Sequence, residues 1–295
     1  MPAELRGYRT LSQLGVGARS TINQVIRTTT GQFFALKRVV RRSADDDRFL
    51  EQVEVEYEVS SQIDHPNLRK SLELHRVKKW LKVQELLLLM EYVAGKTLEQ
   101  DRPTDLGRTI DLFRKVAAGL GALHDAGYVH ADIKPNNILI TDKDAIKIVD
   151  FGQSCKIGHK KTRIQGTPDY IAPEQVRRLP LDQRTDVFNL GATLYWVLTN
   201  STFPTDIRPN VPGGGHEIKG PKRAPKDVVP SIPAALSKLV MDCCESAPKK
   251  RPDSMKKIIA RLNVADQMRQ EALVANENKG AGGQPPDASC CNGAE

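Results

Sequence analysis

His130-Ala131-Asp132-Ile133-Lys134-Pro135-Asn136-Asn137-Ile138-Leu139 puts a carboxylate, an amine and an amide into one short loop. Such an Asp can accept a proton from an attacking hydroxyl, the Lys can hold an anionic group in transfer, and the Asn can ligate a hard cation through its carbonyl oxygen. Taken alone, the loop is equally well an ordinary polar turn, so its surroundings decide. Upstream, Asp105 to Asp125 carries Leu106, Ile110, Phe113, Val116, Ala117, Leu120 and Leu123 at helical spacing. Downstream, a short apolar strand leads to Asp150-Phe151-Gly152, a further carboxylate suited to metal. Nearer the N-terminus the period is that of strands. Tyr8 to Ile26 alternates around a glycine turn, and Phe33 to Val40, Ser71 to Val77 and Gln84 to Glu91 follow, giving five strands. One helical stretch interrupts them from Asp45 to Ile63, with apolar residues at Phe49, Val53, Tyr57 and Ile63.

Composition sets the bounds. A chain of 295 residues with 39% hydrophobic and 27% charged residues buries a sizeable core and is neither a disordered nor a membrane sequence. A formal charge of +8 suits anionic partners without choosing among them, and no nucleic-acid-binding module is legible. Cys155, Cys243, Cys244, Cys290 and Cys291 are odd in number and show no C-x-x-C spacing, so reduced thiols and a cytoplasmic setting are expected. The strongest apolar run, Leu86 to Met90, is too short to cross a bilayer, and Met1 to Thr10 has no apolar signal core.

Three further features carry chemistry. In Leu14-Gly15-Val16-Gly17-Ala18-Arg19-Ser20-Thr21-Ile22 the glycines let the backbone come close to phosphate oxygens, although a lone G-x-G is more often a simple hairpin turn. Lys37, in Ala35-Leu36-Lys37, is a charge in an apolar strand and needs a partner unless it snorkels to water. Glu54, Glu56 and Glu58 on the following helix can each supply that partner.

In this order the motifs resemble the protein kinase superfamily in its serine/threonine branch. The resemblance covers about Tyr8 to Ala265 and implies an α+β, bilobal fold. Its N-lobe (8–90) would be a five-stranded antiparallel sheet with one helix, followed by a linker (91–95) and a mainly α-helical C-lobe (96–265). Residues 266–295 would hold the end of the last helix and, from about Asn276, a disordered tail. The family's roles carry over position by position. Leu14, Gly15, Val16, Gly17 and Ile22 would cover the nucleotide, with Ala35, Met90, Glu91, Val93 and Leu139 around the base and Met90 as gatekeeper. Lys37 would hold the α- and β-phosphates of ATP, positioned by Glu56, which matches by its distance from His65-Pro66-Asn67-Leu68; Glu54 or Glu58 is the alternative one face or one turn away. Asn137 and Asp150 would hold Mg²⁺, Asp132 would orient the acceptor hydroxyl, and Lys134 would offset charge on the moving phosphoryl group. Gly166-Thr167-Pro168-Asp169-Tyr170-Ile171-Ala172-Pro173-Glu174 would close the activation segment, with Glu174 paired to Arg251 and Asp186 holding the catalytic loop's backbone. Thr167 and Lys134 mark the serine/threonine type. The implied substrates are proteins with Ser or Thr acceptors, the chain itself included among the candidates.

Two departures stand out. Ser20 occupies the loop's third glycine position, and Ala131 stands where the family has the arginine that anchors a phosphorylated activation loop. Activity independent of loop phosphorylation is therefore expected, with Thr162 the obvious acceptor if there is one. Lys156, His159, Lys160, Lys161 and Arg163 make that loop basic, which reads as a solvated charge run more readily than as a preference for acidic targets. A binding scaffold without transfer is the alternative, but Lys37, Asp132 and Asp150, whose loss usually marks one, are all present. A small-molecule phosphotransferase fits less well, because Glu174 and Arg251 match the protein-directed branch. The tail's Cys290-Cys291 fits no prenylation pattern and reads as free thiols rather than a lipidation site.

Overall fold

The computed structural model describes residues 5–17, 19–205 and 222–281, the side chains of 276–281 excepted. Its N-terminal part is one antiparallel sheet of β1 (Tyr8–Val16), β2 (Ser20–Arg27), β3 (Phe33–Val40), β4 (Ser71–Lys79) and β5 (Lys82–Glu91), in the order β1-β2-β3-β5-β4. The central strands β3 and β5 are covered on both faces, which is why β5 reads as the unbroken run Leu86-Leu87-Leu88-Leu89-Met90 instead of alternating. Period 2 still sorts the side chains. Ala35, Val39, Leu86, Leu88 and Met90 pack with Leu50 and Val53 of helix α1 (Asp47–Gln62), while Phe34, Leu36, Leu87 and Leu89 join Leu5 and Val25 on the other face. Lys37 lies two residues from both Ala35 and Val39, so the pleat alone turns it toward α1.

The helical part follows a short linker. Here β6 (Lys96–Thr97) pairs with β8 (Ile138–Ile140), which pairs with β9 (Ile146–Ile148). Gly95 is required for this close approach, because a Cβ there would collide with the carbonyl of Ile140. Helix α2 (Leu106–Asp125) is capped by Asp105, whose carboxylate accepts the Arg108 amide at 2.6 Å. Its buried stripe holds Ile110, Phe113, Val116, Ala117, Leu120 and Leu123 as expected, adds Leu112, and leaves Leu106 half-buried. A two-residue β7 (Tyr128–Val129) then pairs with β10 (Cys155–Lys156). Beyond lie α3 (Pro173–Val176), α4 (Gln183–Thr199), α5 (Pro225–Val228), α6 (Ala234–Cys243) and α7 (Met255–Ala281). α4 is buried nearly all round, and Gly191 lets it approach α6 so closely that a Cβ would come within 2.5 Å of Cys243 Cβ.

The bilobal α+β expectation holds, with one sheet-rich and one helical part. The last helix is longer than its apolar spacing implied. It passes Asn276 and reaches Ala281, and midway along it the Asp266 carboxylate lies between Arg114 of α2 and Arg269. The remainder of the expected tail, with Cys290 and Cys291, and most of the Gly/Pro-rich stretch after Phe203 lie outside the described residues. No helix among the described residues is long and apolar enough to cross a membrane.

Candidate active site

Helical spacing decides which glutamate meets Lys37. Leu50, Val53, Glu56 and Val59 form the buried stripe of α1, whereas Glu54 and Glu58 face outward to Arg76 and Tyr128. Glu56 is fully buried and accepts from Lys37 Nζ at 2.6 Å. The same ammonium reaches Asp150 Oδ1 at 3.2 Å, so residues far apart in sequence meet at one nitrogen. Burial alone would push the Lys37 ammonium toward neutrality, but Asp150 and Glu56 hold it well above the ordinary lysine range. Lys37, in turn, holds the Asp150 carboxyl well below the usual carboxylate range against the opposing effect of burial. Both groups therefore stay charged throughout the interval between their ordinary values, 3.8 and 10.5.

Asp150 adopts a left-handed backbone, φ 63° and ψ 70°, which costs energy for a residue other than glycine. Phe151 behind it is buried, its ring 5.2 Å from that of His130. The loop beginning at His130 is held from below by Asp186, buried at the start of α4. Its two carboxylate oxygens accept the amides of His130 and Ala131 at 2.8 Å each, and His124 Nε2 lies 2.8 Å away. From the side, Gln175 Nε2 donates to the Ala131 carbonyl at 2.7 Å. Ala131 itself sits at φ 61°.

This scaffold presents the polar set. Lys134 Nζ lies 3.0 Å from Asp132 Oδ2 and donates to Thr167 Oγ1 at 2.8 Å, while Thr167 donates to Asp132 Oδ1 at 2.9 Å. Asn137 Nδ2 donates to the Asp132 carbonyl at 2.8 Å and lies 3.3 Å from its carboxylate. With its nitrogen so engaged, Asn137 offers its amide oxygen, the atom a hard cation takes, and Asp150 keeps one oxygen free of Lys37. Two such donors fit a cation that takes its other ligands from phosphate and water. No cluster of three or more His, Cys, Asp or Glu suited to metal occurs among the described residues.

The remaining expected positions lie on the sheet, the linker and β8. Gly15 and Gly17 lie at the β1–β2 turn, where Gly17 N donates to Ser20 O at 2.8 Å, and the space beside Gly17 is taken by Ser20 Oγ. Leu14 and Val16 are exposed, and Ile22 pairs with Lys37 across the ladder. Ala35 pairs with Met90, which is fully buried. Glu91 and Val93 are half-buried at the linker, and Leu139 is half-buried on β8. Glu91's side chain is engaged by Lys147 at 2.9 Å and its amide donates to the Lys70 carbonyl at 2.9 Å, which leaves its carbonyl to meet a base.

Sequence reading missed Arg69. It is buried and donates from Nη2 to Glu56 Oε1 at 2.6 Å, a second cation on the carboxylate that holds Lys37. The signal was an arginine beside the turn that ends α1. Ser60, one turn beyond Glu56, bonds Ser71 Oγ at 2.6 Å and ties α1 to β4. Farther away the expected ion pair is present, Arg251 meeting Glu174 at 2.7 and 2.9 Å with both residues buried.

Comparison with known proteins agrees with this geometry. The family model of the protein kinase domain matches residues 8–262. A probable serine/threonine-protein kinase of Clostridium acetobutylicum is 29% identical over 87% of this chain and 39% of its own length. Serine/threonine-protein kinase pkn3 of Myxococcus xanthus is 27% identical over 89% of the chain and 50% of its own. Serine/threonine-protein kinase A of Synechocystis is 28% identical over 88% and 53% respectively. The chain thus spans about two-fifths to one-half of the length of these curated relatives. With the matched residues running from the first strand of the sheet into the last helix, this chain belongs to the protein kinase domain family.

Proposed function

We propose that the chain is an active serine/threonine protein kinase that transfers the γ-phosphoryl group of ATP to Ser and Thr hydroxyls of proteins. One observation carries the reading: Lys37 Nζ stands between Glu56 and Asp150, at 2.6 and 3.2 Å, in the arrangement that phosphate binding needs. Lys37 holds the α- and β-phosphates, and Glu56 and Arg69 keep it aimed. Asp132 accepts the hydrogen bond of the acceptor hydroxyl and takes its proton, a position now filled by Thr167 Oγ1 at 2.9 Å. Lys134, on the same carboxylate, offsets charge on the phosphoryl group in flight. Asn137 and Asp150 hold Mg²⁺, which when bound neutralises the phosphate oxygens. A cytoplasmic site of action accords with Cys155, Cys243 and Cys244 being free thiols.

The activation segment is ordered by its own contacts, which supports turnover without loop phosphorylation. The Gly158 amide donates to the Leu181 carbonyl at 2.7 Å, the Leu181 amide donates to the His159 carbonyl at 3.0 Å, and Lys161 donates to the Gln153 carbonyl at 2.7 Å. Ala131 packs with Val129 and Leu181, so the position holds apolar contacts and offers a phosphate no charge.

Isothermal titration with ATP and Mg²⁺ tests the site. Tight uptake by the wild-type chain, lost on chelation of the metal and lowered at least tenfold in Lys37→Met, is expected. Equal uptake by Lys37→Met would overturn the assignment.

A further inference from the structure

The β4–β5 hairpin ends in Lys78-Lys79-Trp80-Leu81-Lys82, with Lys79 and Lys82 paired across a two-residue loop. Trp80 is 93% and Leu81 96% exposed, the two most exposed large apolar residues described. Trp80 also holds a left-handed φ of 58° at a loop position that glycine or asparagine fills most easily. The fold thus bears backbone strain and a wholly hydrated indole at one point, and no contact within the chain offsets either. Lys78, Lys79 and Lys82 are exposed, and none is in a salt bridge among the described residues. Acids on neighbouring elements are paired elsewhere: Arg41 pairs Asp47, which Lys82 influences only at longer range, Arg38 pairs Glu85, and Arg76 pairs Glu54. From Arg76 to Gln84 the chain has four cations and no acid.

We propose that this hairpin tip is a docking element for an anionic lipid bilayer, with Trp80 and Leu81 entering the headgroup region and Lys78, Lys79 and Lys82 meeting lipid phosphates. Shape and charge favour a bilayer over a protein. A stable protein interface needs about 800 Å² from each partner around a desolvated centre. Two residues on a narrow convex tip cannot supply it, but they suit a soft surface that indole rings prefer. The lysines complement anionic headgroups within a Debye length. The tip lies at the far end of the ten-residue β5 from the linker residue Glu91, roughly 30 Å away, so docking leaves the cleft open. This inference does not depend on phosphoryl transfer.

Trp80 reports its own insertion, because the only other tryptophan, Trp196, is packed against the helical core. The full chain is titrated with vesicles of phosphatidylcholine alone and of phosphatidylcholine mixed with phosphatidylglycerol, and both Trp emission and sedimentation are read. A blue shift and co-sedimentation with the mixed vesicles only, reversed by salt, are expected. Combined Lys78→Gln, Lys79→Gln and Lys82→Gln changes should weaken binding roughly a hundredfold. Trp80→Gly should abolish the shift while leaving the melting temperature equal or higher, since it relieves the turn; loss of binding is then not a folding defect. An absent shift, equal binding to both vesicles, undiminished binding by Trp80→Gly, or a protein dimer that Trp80→Gly dissociates would each overturn the proposal.

Discussion

Glu56 is a buried carboxylate with a cation on each oxygen: Lys37 on one and Arg69 on the other. A single lysine would leave half of that charge unsatisfied in an apolar sandwich, and such a group costs about 1–3 kcal/mol. Arg69→Met should therefore lower unfolding stability by that amount. It should also weaken ATP uptake, because Glu56 is then free to turn from Lys37. Chemical denaturation and nucleotide titration read the two effects; unchanged values in both would mean that Arg69 is a bystander. That Lys37 needs a partner was legible from sequence, since a charge within an apolar strand asks for one, and the structure supplies Glu56 and Asp150. Arg69 was not, because its partner was already assigned to Lys37 and linear spacing does not say how many donors reach one carboxylate.

At the scale of elements, the helical part is tied together by ion pairs inside apolar packing. Arg251, just before α7, reaches Glu174 at the start of α3 while also donating to the Arg184 carbonyl at 2.9 Å. Replacing Arg251 by Met strands the carboxylate, and a loss of about 3–5 kcal/mol in denaturant unfolding is expected. Arg251→Met combined with Glu174→Met should recover most of it; no recovery would show that backbone contacts, not the pair, carry the cost. The activation segment gives the second element-scale prediction. Thr162→Ala should keep near wild-type turnover, measured on a generic protein substrate, because the segment is held by backbone bonds and by Lys161. Arg48, His159, Lys161 and Arg163 line a cavity of about 270 Å³ together with Thr162. If Thr162→Ala abolishes turnover in a folded protein, those four are the groups a phosphate there engages. The five strands of the sheet and helices α1 and α2 were readable from period and turn residues, whereas β6, β7 and β10, two residues each, are too short to show a period. The end of α7 was not readable either, because beyond Ala265 its apolar residues Met268, Leu273 and Val274 are exposed and mark no buried stripe.

For the whole molecule, the sheet and the helices bring together side chains that lie far apart in sequence. Lys37 arrives by strand parity and Glu56 by helical phase. Asp150 arrives by a left-handed turn, and Asp132 by a loop hung from Asp186. The bilobal plan could be inferred from the order of periods, strand then helix. The contacts between the parts could be named only through the resemblance, since no pattern within the chain fixes a distance between residues a hundred positions apart. The most direct test measures phosphate transfer from ATP with Mg²⁺ onto a generic Ser/Thr protein substrate, with nucleotide titration in parallel, for the wild-type chain and Asp132→Ala. The account predicts transfer by the wild type and, in the variant, a fall of about a hundredfold or more at nearly unchanged ATP affinity. A wild-type chain that binds ATP but transfers nothing, or a variant as fast as wild type, would contradict it.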